Sequence, residues 1–325
     1  SILAARDRMG IKPFFFRSGP GVFEFASEIR ALNFPKEINL QAIRQYFHFL
    51  QTPGPITFYE DIFKLEAGEA IEWNGQGQFR KWVWWTPWEE DATRTRVSDD
   101  EMEELLKDSV RLRLQADVKV GTFLSGGLDS SLVTAIAAQQ QPMSTFSFGF
   151  VDGIRDYKSE LEHARIVSQH LGTKHHEVVA TPQEYLDTLN RVFSILDEPI
   201  ADTACGPLLL LSELAKENGV TVMLGGEGAD ELFLGYRHWW DALRVYSTWH
   251  KIPKPLRPIM LQFSQRLLQA KKPSWNAWMQ RINKGEFPIW GGIDSALLLE
   301  ETKIFSADFL EATDNPYAYV RRYMF

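Results

Sequence analysis

The chain has 325 residues, of which 44% are hydrophobic and 24% are charged, and its formal net charge is −8. These values are typical of a globular protein and leave room for two domains, each with its own core. The negative charge argues against a nucleic-acid backbone as the main partner. The single cysteine excludes an intrachain disulfide framework and a thiolate zinc site, and no apolar run reaches the roughly 18 residues of a membrane span. We therefore expect a cytoplasmic protein that acts on a small polar substrate and has no nucleic-acid or membrane partner.

Residues 1 to 88 are predicted to be rich in β-strand. Two pairs of apolar runs flank glycine-containing turns and indicate two hairpins, 14–16 with 22–26 and 70–73 with 79–85. Residues 40–50 are predicted to form a short helix. The charged string Arg6-Asp7-Arg8 is interpreted from its chemistry as a salt-bridged turn rather than as part of a site.

A polar stretch over residues 89–96 marks a linker, after which helical signals begin. Ser98 and Glu101 form a capping box, and the apolar positions that follow at helical spacing end at Leu114. Residues 118–124 are β-branched and apolar and predict a strand. That strand leads directly into a glycine-rich turn at 125–131, from which a helix is predicted to continue.

This first glycine-rich turn reads Ser-Gly-Gly-Leu-Asp-Ser-Ser and combines features of an anion-binding site. Its two glycines let the backbone approach a ligand, while the N–H groups and dipole of the following helix favour a phosphate. Three hydroxyls add donors, those of Ser125, Ser130 and Ser131. The turn lacks the lysine of the common nucleoside triphosphate loop, and Asp129 beside a bare phosphate would need a divalent cation. The alternative is a glycine turn with a helix cap.

Beyond the turn, predicted strands and helices alternate. The strands begin near residue 144 and lie at 175–179 and 220–224. The helices run from a Ser159–Glu162 capping box to Gly172, from a Thr181–Glu184 capping box onward, and over 207–218. This alternation predicts an α/β fold with a doubly wound, mostly parallel sheet and helices on both faces.

A second glycine-rich turn, residues 225–231, follows the last predicted strand. Because ligands of such sheets lie beyond the carboxyl ends of the strands, the two turns are expected to converge on one phosphate chain. Asp129 and Asp230 would then suit a hard cation such as Mg²⁺. Two unrelated surface turns are the alternative.

The string from Ser125 to Ser131 resembles the pyrophosphate loop of the ATP pyrophosphatase superfamily, whose members adenylate a carboxylate or carbonyl. Together with it, four later motifs resemble, in order and spacing, the asparagine synthetases that use glutamine: 146–149, 171–177, 197–202 and 225–236. Two positions depart from that family, which usually has serine at Gly225 and glycine at Leu234. The resemblance implies an adenine nucleotide α-hydrolase-like fold with ATP and Mg²⁺ as cofactors.

The same resemblance implies a role for each site residue. ATP and pyrophosphate would be held by Leu124, Ser125, Gly126, Gly127, Leu128, Asp129, Ser130, Ser131, Phe148, Gly225, Gly226 and Asp230. Asp129 and Asp230 would hold the metal, and Glu227 would orient ammonia or accept its proton. For Glu227, a carboxylate stabilised by a helix N-terminus is the alternative. The acceptor would lie at Asp202, Thr203 and Gly206.

The N-terminal motifs at 6–14, 25–32, 63–69 and 82–88 resemble the distal half of the class II glutamine amidotransferase domain, which has an Ntn-hydrolase-like fold. We therefore expect this domain at 1–90, without its nucleophile half, and an ATP-pyrophosphatase asparagine synthetase domain at 97–325 whose C-terminus is truncated. Cys205, the only cysteine, stands between carboxylates and apolar residues that oppose a thiolate. The resemblance implies a glutaminase that uses the thiol of an N-terminal cysteine, whereas residue 1 here is Ser1, so the chain as given is not expected to hydrolyse glutamine.

Residues 237–325 are predicted to be helical, with tryptophans filling helix interfaces and the basic run 251–272 forming a solvated face. For the whole, the resemblance implies an asparagine synthase (glutamine-hydrolysing), which activates aspartate with ATP and amidates it with ammonia from glutamine. The loop does not identify the acceptor, so two alternatives stay open. One is another pyrophosphate-loop ligase, which closes a β-lactam or amidates a surface sugar, and the other is a non-catalytic nucleotide-binding homologue. A homodimer is compatible with the sequence.

Overall fold

The computed structural model describes residues 1–19, 21–33, 36–76, 78–87, 97–151, 155–268, 272–290 and 301–324. The chain forms two compact units. The antiparallel unit comprises Ser1–Asp91, Leu196–Ala201 and Arg237–Phe325, and the parallel-sheet unit comprises Ala92–Ile195 and Asp202–Tyr236. The predicted linker at 89–96 lies outside the described residues.

The N-terminal part of the antiparallel unit contains β1 (Ile2–Ala5), β2 (Phe15–Gly19), β3 (Val22–Ala26), α1 (Leu40–Phe49), β4 (Phe63–Lys64), β5 (Glu69–Trp73) and β6 (Phe79–Val83). The strands form two antiparallel sheets with the orders β1-β5-β6 and β3-β2-β4. Both predicted hairpins are confirmed, because β2 pairs with β3 and β5 pairs with β6. Phe16, Leu65 and Ile71 form a buried apolar cluster in this part of the unit.

The charged string at 6–8 lies at a turn, as expected, but its side chains form hydrogen bonds with backbone groups and the predicted salt bridge is not among the ion pairs of the described residues. The Arg6 guanidinium donates hydrogen bonds to the carbonyls of Lys12 and Leu65 at 2.9 and 2.7 Å. The Asp7 carboxylate accepts hydrogen bonds from two backbone N–H groups, those of residues 11 and 12. Desolvation would raise the pKa of Asp7, but these backbone hydrogen bonds outweigh it and lower that pKa. Hydrogen bonds between charged side chains and the backbone therefore hold this turn.

The parallel-sheet unit contains, in chain order, α2 (Asp99–Arg113), β7 (Val120–Phe123), α3 (Leu128–Ala138), β8 (Ser144–Phe150), α4 (Arg155–Leu171), β9 (Lys174–Ala180), α5 (Pro182–Ile195), α6 (Cys205–Glu217), β10 (Val222–Leu224) and α7 (Ala229–Phe233). Its four strands are all parallel, in the order β10-β7-β8-β9. The predicted mixed α/β class with a parallel sheet is therefore confirmed.

Helices cover both faces of this sheet. Successive side chains of a strand point to opposite faces, so contacts of neighbouring residues in β8 identify the helices on each side. On one face, Phe146 and Phe148 of β8 belong to a buried cluster with Leu211 of α6. On the other face, Gly149 lies so close to Leu161 of α4 that a Cβ at Gly149 would overlap the leucine side chain. The sheet is thus doubly wound.

One predicted capping box is confirmed in full, and one predicted helix start is wrong. Thr181 Oγ1 accepts the Glu184 N–H at 3.2 Å while Glu184 Oε2 accepts the Thr181 N–H at 2.7 Å, and α5 begins at the next residue. Helix α4, in contrast, begins at Arg155 and passes through Ser159, which therefore cannot be its cap. Serine is tolerated inside helices, so a Ser-x-x-Glu pattern does not by itself fix where a helix starts.

The C-terminal part of the antiparallel unit contains α8 (Arg237–Lys251), α9 (Arg257–Leu268), α10 (Pro273–Asn283), α11 (Glu301–Ile304), α12 (Ala307–Glu311) and α13 (Tyr317–Met324). Trp249 of α8 and Trp278 of α10 are fully buried in one apolar cluster, which confirms a packing role for these two tryptophans. Trp240, by contrast, is half exposed. Within the described parts of the chain, no helix is both long enough and apolar enough to cross a bilayer.

Candidate functional site

The two glycine-rich turns follow neighbouring parallel strands. β7 ends at Phe123 and β10 at Leu224, and Leu224 pairs with Thr122. From β7 the chain winds to β8 and β9 on one side, whereas β10 lies on the other side of β7. Open α/β sheets leave a ligand crevice at such a switch point, outside the carboxyl ends of the strands. Both turns therefore lie where this fold binds ligands.

The turns touch each other at Gly226. A Cβ placed on Gly226 would stand 2.8 Å from the Cβ of Asp129 and 2.9 Å from the backbone nitrogen of Ser130. Neither atom is the movable end of a side chain, so the close approach requires glycine. The backbone of the second turn thus lies directly against the start of α3.

Hydrogen bonds between hydroxyls and backbone shape the first turn. Ser125 Oγ lies 2.9 Å from Ser130 Oγ and accepts the Gly127 N–H at 3.2 Å. Ser131 differs, because its buried Oγ has no hydrogen-bond partner among the described residues. A buried hydroxyl without a partner is costly, and a ligand oxygen would satisfy it. Of the three serines predicted as donors, Ser131 is the one with a spare hydrogen bond.

The two glycines of the first turn have different surroundings. Gly126 has a φ of +81°, and a Cβ there would stand 2.6 Å from the backbone nitrogen of Ala164 in α4. The fold itself therefore requires glycine at 126, a reason that the sequence did not reveal. At Gly127 a Cβ would approach only Ser125 Oγ, at 3.2 Å, and the neighbouring Leu128 is 82% exposed. The side of the turn at residues 127 and 128 is the open one.

Acidic groups gather in the second turn and in α7. Asp230 lies in the first turn of that helix, its carboxylate packs against Gly235, and Glu227 is exposed. Tyr236 Oη donates to Glu231 Oε1 at 2.7 Å, and this bond, desolvation and the charges of Glu231, Asp230 and Glu227 raise the pKa of Tyr236 to about 12. A local excess of negative charge of this kind favours a cation. The pairing of Tyr236 with Glu231 could not be read from the sequence.

The residues present fit a nucleotide phosphate with Mg²⁺. Within the described residues, no three Asp, Glu, His or Cys side chains cluster closely enough to hold a metal alone. Mg²⁺ does not require such a cluster, because one or two carboxylates hold it together with waters and substrate phosphates. Asp129 and Asp230 can supply the carboxylates, and Ser131 the spare hydroxyl.

Two of the predicted ATP-binding residues lie in and beside the central strands. Leu124 is almost completely buried, its N–H donates to the Phe146 carbonyl at 2.9 Å, and its carbonyl accepts from Ser147 Oγ. Phe148 is buried in β8, opposite Val178 of β9. The backbone of Leu124 is therefore hydrogen-bonded to the neighbouring strand β8, and that of Phe148 is part of the β-sheet.

The predicted acceptor residues lie at the start of α6. Asp202 Oδ1 accepts the Ala204 N–H at 2.8 Å, and the Thr203 carbonyl accepts from Tyr185 Oη at 3.0 Å. Gly206 is buried against the same Tyr185 ring, which would stand 2.6 Å from a Cβ at Gly206. Tyr185, which the sequence did not indicate, thus holds this segment in place.

The environment of Cys205 opposes its ionisation, as expected. Burial and then the charge of Asp202 raise the pKa of the Cys205 thiol. A cysteine nucleophile needs the opposite, a lowered pKa. The structure therefore supports a packing role for Cys205.

The motif at 197–202 divides between the two units. Asp197 accepts a hydrogen bond from Arg30 Nε at 2.8 Å, and Glu198 forms an ion pair with Lys64 Nζ at 2.8 Å. Glu198 also accepts the Phe58 N–H at 2.7 Å. These two carboxylates therefore stabilise the antiparallel unit, whereas Asp202 belongs to the parallel-sheet unit.

The strand order and the two touching turns define a doubly wound α/β domain with a ligand crevice at its switch point. The family model for asparagine synthase matches residues 101–319, and that for a glutamine amidotransferase domain matches residues 1–85. Since the first match covers more than half of the chain, the protein belongs to the asparagine synthase family.

Several curated proteins similar to this chain are named as asparagine synthetases. The chain is 34% identical over 269 residues to a putative asparagine synthetase [glutamine-hydrolyzing] 2 of Methanocaldococcus jannaschii, covering 79% of this chain and 51% of that protein. It is 33% identical to asparagine synthetase [glutamine-hydrolyzing] 1 of Bacillus subtilis, with 80% and 41% covered, and 30% identical to asparagine synthetase B of Escherichia coli, with 74% and 42% covered. The chain thus spans about half or less of the length of these relatives.

Among solved structures, an NH3-dependent NAD synthetase from Campylobacter jejuni aligns with 60% of this chain and 98% of its own. The identity is 18% and the TM-score is 0.32.

Proposed function

We propose that the protein is a glutamine-hydrolysing asparagine synthetase, an ATP-dependent carbon–nitrogen ligase of asparagine biosynthesis. A side-chain oxygen of aspartate attacks the α-phosphorus of ATP, and pyrophosphate leaves. Ammonia derived from glutamine then attacks the carbonyl carbon of β-aspartyl-AMP, and AMP leaves with the bonding electrons. Family membership and the names of the relatives support this function. The observation that carries it is the contact of Gly226 with Asp129, which joins the two glycine-rich turns at one point.

The residues of the two turns would have different roles in binding phosphate, holding the metal and accepting the proton of ammonia. Backbone and hydroxyl groups of 125–131 would bind pyrophosphate, with Ser131 donating its spare hydrogen bond. Mg²⁺, when bound by Asp129 and Asp230, would neutralise charge on the phosphates. Glu227, exposed at the start of the second turn, would orient ammonia and accept its proton.

The remaining assignments rest on the family resemblance. Backbone groups of Leu124, Phe148 and Gly226 would contact adenosine, and Gly225 would lie beside the nucleotide. The segment with Asp202, Thr203 and Gly206 would form the acceptor site. We also propose a glutamine amidotransferase portion at 1–90, a synthetase domain at 97–325 and a cytoplasmic location. The family models at 1–85 and 101–319 support these boundaries.

Product analysis tests the proposal directly. The protein at its full encoded length is incubated with ATP, Mg²⁺, ammonia and one candidate acid at a time, and AMP, pyrophosphate and the amide are measured. AMP and asparagine with aspartate alone are the expected result. AMP with a different acid only would identify another ligase of this loop type. No AMP with any acid would identify a non-catalytic homologue.

A further inference from the structure

Helix α9 carries a stripe of apolar side chains that face solvent. Ile259 and Phe263 are 63% and 56% exposed, and Leu256 and Met260 are also exposed. Ile259, Met260 and Phe263 lie on one side of α9, and Leu256 is the last residue of the 3₁₀ turn immediately before that helix. The sequence predicted a solvated basic face here, and the structure shows in addition an exposed apolar stripe in the middle of the basic run.

The stripe is not part of the core of the antiparallel unit. That core meets another side of α9, where Leu261 packs against the cluster of α8 and α10. Ser264, on the same inner face, is 1% exposed and donates to Asn276 Oδ1 of α10 at 3.0 Å. Helix α9 is therefore already packed on its inner side, and its outer apolar stripe needs another explanation.

The charge around the stripe is one-sided. Residues 251–268 contain four basic residues and no acidic residue, although the whole chain has a net charge of −8. Lys254 precedes the stripe and Arg266 follows it, and both are exposed, as is Lys251. Arg257 is held by its own unit, since its Nε donates to the Ile252 carbonyl at 3.2 Å. The surface of α9 thus combines exposed apolar groups with cations at both ends.

We propose that the exposed surface formed by Ile259, Met260, Phe263 and Arg266 of α9, together with Lys251, Lys254 and Leu256 just before that helix, binds the surface of an anionic lipid bilayer. An amphipathic helix that combines apolar and basic residues lies in the interface, with its apolar side chains among the acyl chains and its cations at the headgroups. At 12 residues, about 18 Å, α9 is too short to span a bilayer and suits this orientation. The proposal replaces the expectation of no membrane partner, and it does not depend on the proposed enzymatic function.

Charge disfavours a second copy of the chain as the occupant. In a two-fold symmetric contact the same patch meets itself, so the cations around one stripe would face those around the other. Like charges brought together in this way repel. The stripe also lies on a single outward-facing helix, and a lipid surface does not require the shape complementarity that a protein partner does. An anionic lipid surface accommodates both the charge and the shape.

Vesicle co-sedimentation of the protein at its full encoded length tests the proposal. Vesicles of phosphatidylcholine alone are compared with vesicles that also contain phosphatidylglycerol, at low and high salt. We expect binding to the anionic vesicles only, weakened by salt. The double variant Ile259→Gln/Phe263→Gln should lower the affinity at least about tenfold, because two apolar side chains no longer enter the bilayer. Lys254→Glu/Arg266→Glu should lower it by a similar factor.

Two matched controls separate this face from general effects. Ile166→Gln changes an isoleucine of α4 that is also 63% exposed, and Lys36→Glu reverses an exposed lysine outside α9. Both should bind like the wild type. Circular dichroism of all variants should show unchanged folding, since every substituted side chain is exposed. Absence of binding to anionic vesicles would overturn the proposal, as would equal losses in the controls. A stripe-dependent complex with an acidic protein or a second copy, without vesicle binding, would overturn it as well.

Discussion

Gly226 lies against Asp129 so closely that a Cβ on the glycine would stand 2.8 Å from the Cβ of the aspartate. This contact joins the turn after β10 to the helix that follows β7, across the switch point of the sheet. Gly225, one residue earlier, has space: a Cβ there would meet nothing closer than Glu227 Cγ at 3.6 Å. Of these two adjacent glycines, Gly226 therefore takes part in the contact and Gly225 does not, so substitutions of Gly225 can serve as controls for those of Gly226.

We expect Gly226→Ala to disturb the contact and Gly225→Ala to leave it intact. In Gly226→Ala the backbone of one turn must shift, which should lower the free energy of unfolding by about 1–3 kcal/mol and reduce ATP-dependent pyrophosphate release. Gly225→Ala and Gly225→Ser, the residue usual in the family, should retain stability and turnover. Thermal unfolding and pyrophosphate release measure both effects. Equal behaviour of Gly226→Ala and Gly225→Ala would show that the contact does not matter.

Leu234 is the C-cap of α7 and has a φ of 57°. Residues other than glycine adopt this left-handed conformation at a cost of roughly 1–2 kcal/mol. Leu234→Gly should therefore be neutral or slightly stabilising, because relief of this strain offsets the greater freedom of glycine in the unfolded chain. Leu208 in α6 is equally exposed, at 41%, and serves as the control. Leu208→Gly should cost about 1 kcal/mol, as glycine does inside a helix. Thermal denaturation distinguishes the two, and equal losses would contradict the strain at Leu234.

Glu301 holds a charged cluster in the antiparallel unit. Its carboxylate lies 2.7 Å from His48 Nε2 and accepts from Arg44 Nε at 3.0 Å. Partial burial would raise the pKa of Glu301, but the hydrogen bonds with His48 and Arg44 outweigh it and lower that pKa to about 2, from an ordinary 4.5. The ionised carboxylate therefore contributes stability above pH 4.5, and this contribution is lost as the pH falls towards 2.

Glu301→Gln should accordingly reduce stability by about 2 kcal/mol at neutral pH. The difference from the wild type should shrink below pH 4.5 and disappear near pH 2. Glu103→Gln, at an exposed position of α2, is the control and should change little at any pH. Denaturant titrations at several pH values provide the measurement. A deficit in Glu301→Gln that does not depend on pH would show that the charge of Glu301 is unimportant.

Glu227→Gln should leave ATP binding intact and slow amide formation, because an amide keeps the shape of the side chain and loses its basic oxygen. Single-turnover measurements separate the two steps: β-aspartyl-AMP should form at a near-normal rate and then react slowly with ammonia. Exposed Glu217 at the end of α6 offers a control, Glu217→Gln, with wild-type behaviour expected. If nucleotide affinity falls as much as turnover does, Glu227 is a binding or structural residue.

Local signals predicted most of the architecture. Alternating apolar residues around glycine turns gave the hairpins, and Thr181 with Glu184 marked the start of α5, because these patterns depend on near neighbours in the chain. Other features depend on residues far apart in sequence. Position 126 requires glycine because α4 passes beside it, and Ser131 Oγ is buried without a hydrogen-bond partner among the described residues. The inner and outer faces of α9 could be told apart only once α8 and α10 were in place.

Aspartate-dependent exchange of labelled pyrophosphate into ATP tests the central claim most directly, because it requires a nucleotide, a metal and the acceptor at one site and needs no ammonia. The wild type should catalyse this exchange with aspartate. Asp129→Asn and Asp230→Asn should each reduce it at least about a hundredfold, since a lost metal-binding charge costs several kcal/mol in the transition state. Asp187→Asn changes an exposed carboxylate of α5 that belongs to neither turn, and this variant should exchange like the wild type. Near-normal exchange in both turn variants would contradict a metal–nucleotide site at the meeting of these two turns.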